Sequence, residues 1–199
     1  MDLRIPTIVL RSASMALALA ALSGCISFGE DPPESLLTLT PSSTAAAGTG
    51  SSGDLENALA VTPFETPQRL NVTRVPVYVT DSSVAYLQEA TWVEKPARLF
   101  ARLVEETIRS KGTRMVVDGD LGYTAGTKLS GTLSEMGYDA DTGTVTVRFD
   151  AVLQGRDGNV TTRRFEASES GIAPEAGAVG AAMNRVANQV AGDIADWVG

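Results

Sequence analysis

Within the segment Thr144 to Gln154 the chain alternates apolar and polar residues, with Val145, Val147, Phe149 and Ala151 set against Thr146, Arg148 and Asp150. Successive side chains of a strand point to opposite faces, so this pattern fits a strand that buries one face and wets the other. A one-faced sheet has to be covered, and the end of the chain supplies the cover. Over residues 175–198, Val179, Met183, Val186, Val190, Ile194 and Trp197 recur at three- and four-residue spacing. They form a single apolar stripe on a helix of roughly 35 Å. Gly177, Gly180, Ala181, Ala182 and Ala187 keep that helix slim. The stripe reads as core rather than as a membrane or partner face, because a sheet of matching polarity is at hand.

A second helix is expected over Pro96–Lys111, where Ala97, Phe100, Leu103, Val104, Thr107 and Ile108 share one face. Proline suits its first turn, and Gly112 suits the left-handed residue after its end. Further strands are expected over residues 35–41, 69–79, 127–140 and 159–170, with short extended pieces over 84–87 and 113–117. Pro76 marks an edge or a break in the second of these. Asp141-Thr142-Gly143 and Gly155-Arg156-Asp157-Gly158 read as turns. Residues 42–58, rich in Ser, Thr, Ala and Gly, read as a flexible loop. The fold expected is α/β: a single mixed, largely antiparallel sheet of about five to six strands with two main helices packed on it.

The start of the chain reads differently. Arg4 and Arg11 precede the apolar run Met15-Ala16-Leu17-Ala18-Leu19-Ala20-Ala21-Leu22, a basic segment and a core too short to span a bilayer. Leu22-Ser23-Gly24-Cys25 follows, which matches the bacterial lipobox. Small residues let a peptidase grip an extended backbone there, and the Cys25 thiol takes up diacylglycerol. Cleavage between Gly24 and Cys25 then frees an amine for a third acyl chain. One chain anchors marginally and three hold durably. Residues 1–24 thus read as a signal peptide, 25–34 as a tether, and 35–199 as the domain. Residue 26 is Ile rather than the Asp that retains lipoproteins in the inner membrane, which favours the periplasmic face of the outer membrane.

Composition narrows the chemistry. The net charge is −8, and residues 25–199 carry 14 basic and 23 acidic residues, or −9. Such a surface repels phosphate backbones, so no nucleic-acid partner is expected. Histidine is absent and cysteine occurs once, which removes the commonest general base, the commonest zinc ligand and any internal disulfide. No cofactor, metal or catalytic residue is expected. Glu105-Glu106 are helical neighbours that face apart, and Asp118-Gly119-Asp120 belongs to a turn. Gly48-Thr49-Gly50-Ser51-Ser52-Gly53 matches a dinucleotide-binding glycine pattern but lies in the low-complexity stretch with no strand before it or helix after it. Asp139 to Gly143 lacks the glycine a calcium loop needs at its sixth place, where Thr144 stands.

In order along the chain, several segments resemble one family. They are Leu36-Leu37-Thr38-Leu39-Thr40-Pro41, in which the family's usual tyrosine is missing, and Val75-Pro76-Val77-Tyr78-Val79. Next comes Ala85 to Pro96, where Tyr86, then Trp92, then a proline lead into a helix, and last Asp193-Ile194-Ala195-Asp196-Trp197-Val198. The chain resembles the ABC-type transport auxiliary lipoproteins, the PqiC-like family. That resemblance implies a non-catalytic partner of an ABC permease and ATPase and of a periplasmic MCE-domain protein, together moving lipids, phospholipids above all, between two membranes. Homo-oligomerisation is open.

Two roles follow: a docking module, or a lipid carrier with its own apolar cavity. With aromatics at 6% and an alanine-rich closing helix, the chain shows no surplus of bulky inward-facing residues, which favours docking. Trp92 is the leading interface candidate, because tryptophan is enriched at interface hot spots. It reads equally well as a core residue capping the first helix. Tyr78 and Tyr86 are the secondary candidates. The lipobox generates the first test: Cys25→Ser should abolish palmitate incorporation and leave a soluble or uncleaved precursor. Unchanged labelling with unchanged membrane recovery would overturn the lipoprotein reading.

Overall fold

The computed structural model describes residues 35–119 and 124–199. Leu22, Ser23, Gly24 and Cys25, the tether and Asp120 lie outside the described residues. The rest is built around one strand, β5 (Thr127–Asp139), whose 13 residues outreach every neighbour. Along one edge it pairs antiparallel with β6 (Thr144–Gln154) from Lys128–Gln154 to Asp139–Thr144. β6 in turn pairs antiparallel with β7 (Val160–Glu169). The other edge of β5 is shared by two shorter partners, both parallel to it. β1 (Leu59–Val61) covers Thr127–Leu129, and β2 (Arg74–Thr80) covers Tyr138–Asp139. β3 (Ser83–Thr91) forms a hairpin with β2, and β4 (Val116–Asp118) lies parallel to β1.

The sheet is therefore mixed, with long antiparallel ladders and short parallel ones, and has seven strands where about five to six were expected. β4 falls on the extended piece expected over 113–117, whereas β1, three residues long, is too short to show a period. Another correction concerns residues 35–41, which do not form a ladder strand; within them Leu37 makes one isolated parallel bridge to Trp92. The break at Pro76 is real. The β2–β3 register slips between Arg74–Thr91 and Pro76–Tyr86, and Glu89 in that bulge has φ 56°, a left-handed value rare outside glycine.

Two helices, α1 (Pro96–Lys111) and α2 (Ala176–Val198), pack on one face of the sheet. α1 ends at Gly112 with φ 66°, where the N–H closes on Arg109 O at 3.0 Å. Phe100 of α1 meets Phe149 of β6 and Phe64, with ring centroids 5.5 and 6.0 Å away, and Phe64 sits 4.3 Å from Phe149. This three-ring cluster binds helix to sheet beyond its buried area alone. On α2 the stripe from Val179 through Ile194 is buried, and Trp197 sets its ring edge-on to Phe165 of β7 at 5.5 Å. Arg114 fastens the end of α2, donating to Val198 O at 3.0 Å and to Thr127 Oγ1 at 2.7 Å. A cation there also complements the helix dipole. Burial pushes the Arg114 guanidinium below its usual pKa.

The segment before β1 is applied to the helices as a strap. Leu37 N–H donates to Thr91 O, and Val93 N–H donates to Leu37 O. The Leu37 side chain occupies the space that Gly180 leaves on α2, where a Cβ would stand 2.6 Å from it. Leu39 is buried. Residues 42–45, part of the stretch that composition marks as a loop, hydrogen-bond to both helices. A 3-10 turn at Leu55–Asn57 leads into β1.

Val186 and Val190 are 2% and 0% exposed at the middle of the α2 stripe. Either one changed to Asp would bury an unpaired carboxylate at a cost of several kcal/mol, a large part of a domain's ~5–15. Both variants should be unfolded by circular dichroism at 25 °C; native-like melting of both would mean that α2 does not pack on the sheet.

Candidate functional site

The face of the sheet away from the helices is polar, and it carries two of the three aromatic residues singled out above. Along β5, Met136 and Tyr138 point into the core, and Tyr138 donates its hydroxyl to Ile172 O at 2.9 Å. Gly137 between them faces outward. The Tyr78 ring of β2 lies over that bare position; a Cβ on Gly137 would stand 2.7 Å from it. Tyr86 of β3 pairs with Pro76, two residues from Tyr78 on the same face.

Two arginines accompany the tyrosines. Arg69 donates from Nε to Tyr78 Oη at 3.3 Å and from Nη2 to Ser134 O at 2.6 Å. The Tyr86 hydroxyl reaches Arg69 O at 3.5 Å, and the Arg74 guanidinium stands 4.5 Å from the Tyr86 ring centroid. Each aromatic plane thus carries a cation, an arrangement worth about 0.5–1 kcal/mol at an exposed site. Both rings are half-buried, which fixes their rotamers while leaving one side available. Val79 and Val84, at the tip of the same hairpin, are 48% and 43% exposed. The structure therefore brings Tyr78 and Tyr86 together.

Trp92 does not join them. It is 1% exposed, with its backbone N–H on Thr73 O at 2.7 Å and Leu37 bridged beside it. This corrects its place among the surface candidates. The strap closes over the end of β3, so the ring is core, and its Nε1 has no hydrogen-bond partner among the described residues.

Beyond the tyrosines, the open face is tied across its strands by charge. Arg148 of β6 bridges Glu135 of β5 and Glu166 of β7, and Arg164 of β7 holds Asp150 of β6. The hydrogen bond from Arg164 lowers the Asp150 pKa, and the one from Arg148 lowers that of Glu166. These pairs are neutralised in place, which leaves the aromatic hairpin as the part of the face with unspent contact area. The arginines were the signal that pattern reading missed: Arg74 shares a face of β2 with Pro76 and Tyr78 and stands diagonally from Tyr86 across the ladder, while Arg69 reaches Tyr78 from the turn before β2.

A concavity of about 900 Å³ lies between the segment after β1 and α1. Val61, Phe64, Ala97 and Ala101 line it, and so do Glu94, Lys95, Arg98 and Arg102, with Glu94 paired to both arginines. A wall that charged does not suit an acyl chain. Among the described residues no group of three or more acidic side chains is placed to hold a metal ion. No helix among them is long and apolar enough to cross a membrane.

Residues 37–195 match the model of the family described as the ABC-type transport auxiliary lipoprotein component. No curated protein matches the chain. Among solved structures, a protein of the DUF330 family from Xanthomonas campestris is similar, with a TM-score of 0.70 at 17% identity. That match covers 82% of this chain and 94% of the other. A second, an uncharacterized protein, has a TM-score of 0.64 at 14% identity and covers 83% of this chain and 100% of that one. At such identities the likeness is one of fold.

The ion pairs of the open face set a pH expectation. Carboxylates with a lowered folded pKa contribute stability that is present above the unfolded value, about 4, and is lost as pH falls through the folded value. With histidine absent, the melting temperature of the domain should be level from pH 6 to pH 8 and should drop below about pH 4. A steep change between pH 6 and 8 would show that these pairs do not govern the titration.

Proposed function

Because the chain belongs to the family of ABC-type transport auxiliary lipoproteins, we propose that it is the lipid-anchored docking component of an MCE-type ABC system that moves phospholipid between the inner and outer membranes. In this reading Cys25 carries the acyl chains and Ile26 directs the protein to the periplasmic face of the outer membrane. The permease, the ATPase and the MCE-domain protein do the transport, and this chain holds the machine in place. The observation that carries the docking role is the pairing of Tyr78 and Tyr86 with Arg69 and Arg74 on a solvent-facing, rigid sheet. Tyrosine and arginine are the residue types that dominate interface energetics. A sheet also presents them without the ordering cost of a mobile loop.

The alternative, a carrier that takes lipid into its own body, finds less support. The concavity described above is rimmed by Glu94, Arg98 and Arg102, and the space between sheet and helices is filled by side chains such as Phe100, Phe149 and Met183. A non-catalytic role agrees with the family's description as a transport component.

The docking role is tested with purified MCE-domain protein from the same system. The double variant Tyr78→Ala/Tyr86→Ala should bind at least tenfold more weakly than the parent chain, since hot-spot truncations cost about 2 kcal/mol or more. Its melting temperature should stay within a few degrees. Equal binding by parent and variant would remove this face from the interaction, and absence of binding by the parent would remove the MCE partner.

A further inference from the structure

The strap over residues 37–45 is held almost wholly through its backbone. Thr40 N–H donates to Asn184 Oδ1 at 2.7 Å. Asn188 is bidentate, donating from Nδ2 to Thr40 O at 2.9 Å and accepting Ser42 N–H on Oδ1 at 2.7 Å. Ala45 N–H donates to Glu106 Oε1 at 2.8 Å. Leu37 at Gly180 and Leu39 beside Leu99 and Leu103 supply the apolar contacts. A pair of asparagines one turn apart on α2, with a glutamate on α1 opposite, forms a groove that reads an extended chain by its amides and two leucines.

Such a groove does not distinguish whose chain it reads. On one side the strap continues into residues 25–34. On the other, residues 46–54 are exposed, and the hydrogen bond within them is their own, Thr49 N–H to Ala46 O at 3.0 Å. The strap is thus fixed by the groove and, at Leu37, by its backbone bonds to Thr91 and Val93, and only loosely by residues 46–54 on its C-terminal side.

We propose that the strap is exchangeable: the groove between α1 and α2 takes residues 37–45 from a second copy of the chain, linking copies side by side. The bonds made in exchange are the same as those made within one copy, so the balance depends on local concentration. The proposal rests on the membrane anchoring described above for that concentration alone.

Ser43 Oγ and Ser110 Oγ are 3.0 Å apart across the groove, close enough that cysteines there would join with little backbone movement. The double variant Ser43→Cys/Ser110→Cys should form an intrachain disulfide in the full-length protein. Ser43→Cys and Ser110→Cys carried on two differently tagged full-length copies, co-expressed, should give an interchain 43–110 disulfide. Peptide mapping should find it at a yield within about tenfold of the intrachain one. Fractionation reports anchoring separately: with the protein in the soluble fraction, the same link should still form after concentration to the millimolar range.

Efficient intrachain linkage without any interchain 43–110 link, in membranes or in concentrated solution, would overturn the exchange. So would failure of the double variant to link, since the strap would then not occupy the groove. Interchain links mapped to 43–43 or 110–110 would report collision and count against it, and a disulfide from Ser110→Cys to another protein would assign the groove to a foreign peptide.

Discussion

The β5 strand is the element on which the remaining structure depends, because both of its edges are spent. One edge is zipped to β6 over almost its full length; the other is divided between β1 and β2. The middle of the divided edge is not idle. Glu65 N–H donates to Gly131 O and Leu133 N–H donates to Glu65 O, both at 2.9 Å, so the chain after β1 completes the coverage. A strand with satisfied amides on both sides leaves no template for a stray partner, and the sheet's exposed edges are pushed outward to β3, β4 and β7. It also fixes which residues face the helices: Leu129, Leu133, Met136 and Tyr138 cannot turn outward without breaking both ladders.

From that constraint the two faces acquire different work. The inner face is consumed by α1 and α2, whose stripes, aromatic cluster and C-terminal clamp at Arg114 leave little for a partner. The outer face needs no cover, because cross-strand ion pairs and hydroxyls make it wettable. Among the described residues, the outer face carries aromatic surface at the β2–β3 hairpin, seated on Gly137. In the docking reading, the contact surface therefore lies at one end of the sheet.

Much of this could be read before any coordinates. β6, α1 and α2 announce themselves through unbroken period and through their ends, Pro96 and Gly112 above all, and their observed limits follow those signals within a residue. What pattern could not yield was β1, whose three residues hold no period, and the fate of residues 35–45. Leu36 to Thr40 alternate like a strand, yet beyond the single bridge at Leu37 they lie on helices rather than in a ladder, because the Thr40 backbone is met by Asn184 and Asn188. Trp92 was ambiguous for a related reason. Burial of a residue at the end of a strand depends on what crosses over it, and that is the strap, 55 positions earlier at Leu37.

The strap also bears on where a lipid anchor would pull on the domain. Nine residues, 26–34, separate Cys25 from Ser35, a reach of at most ~35 Å when fully extended. The described chain begins beside Thr91 and Val93, at the end of β3 away from its hairpin with β2. Tension from a lipid anchor would therefore enter at the base of β3 and be taken up by the amides of α2, while the tip bearing Val79 and Val84 points the other way along the same strand. In the docking reading, the point of attachment and the aromatic hairpin are therefore separated by the length of β3.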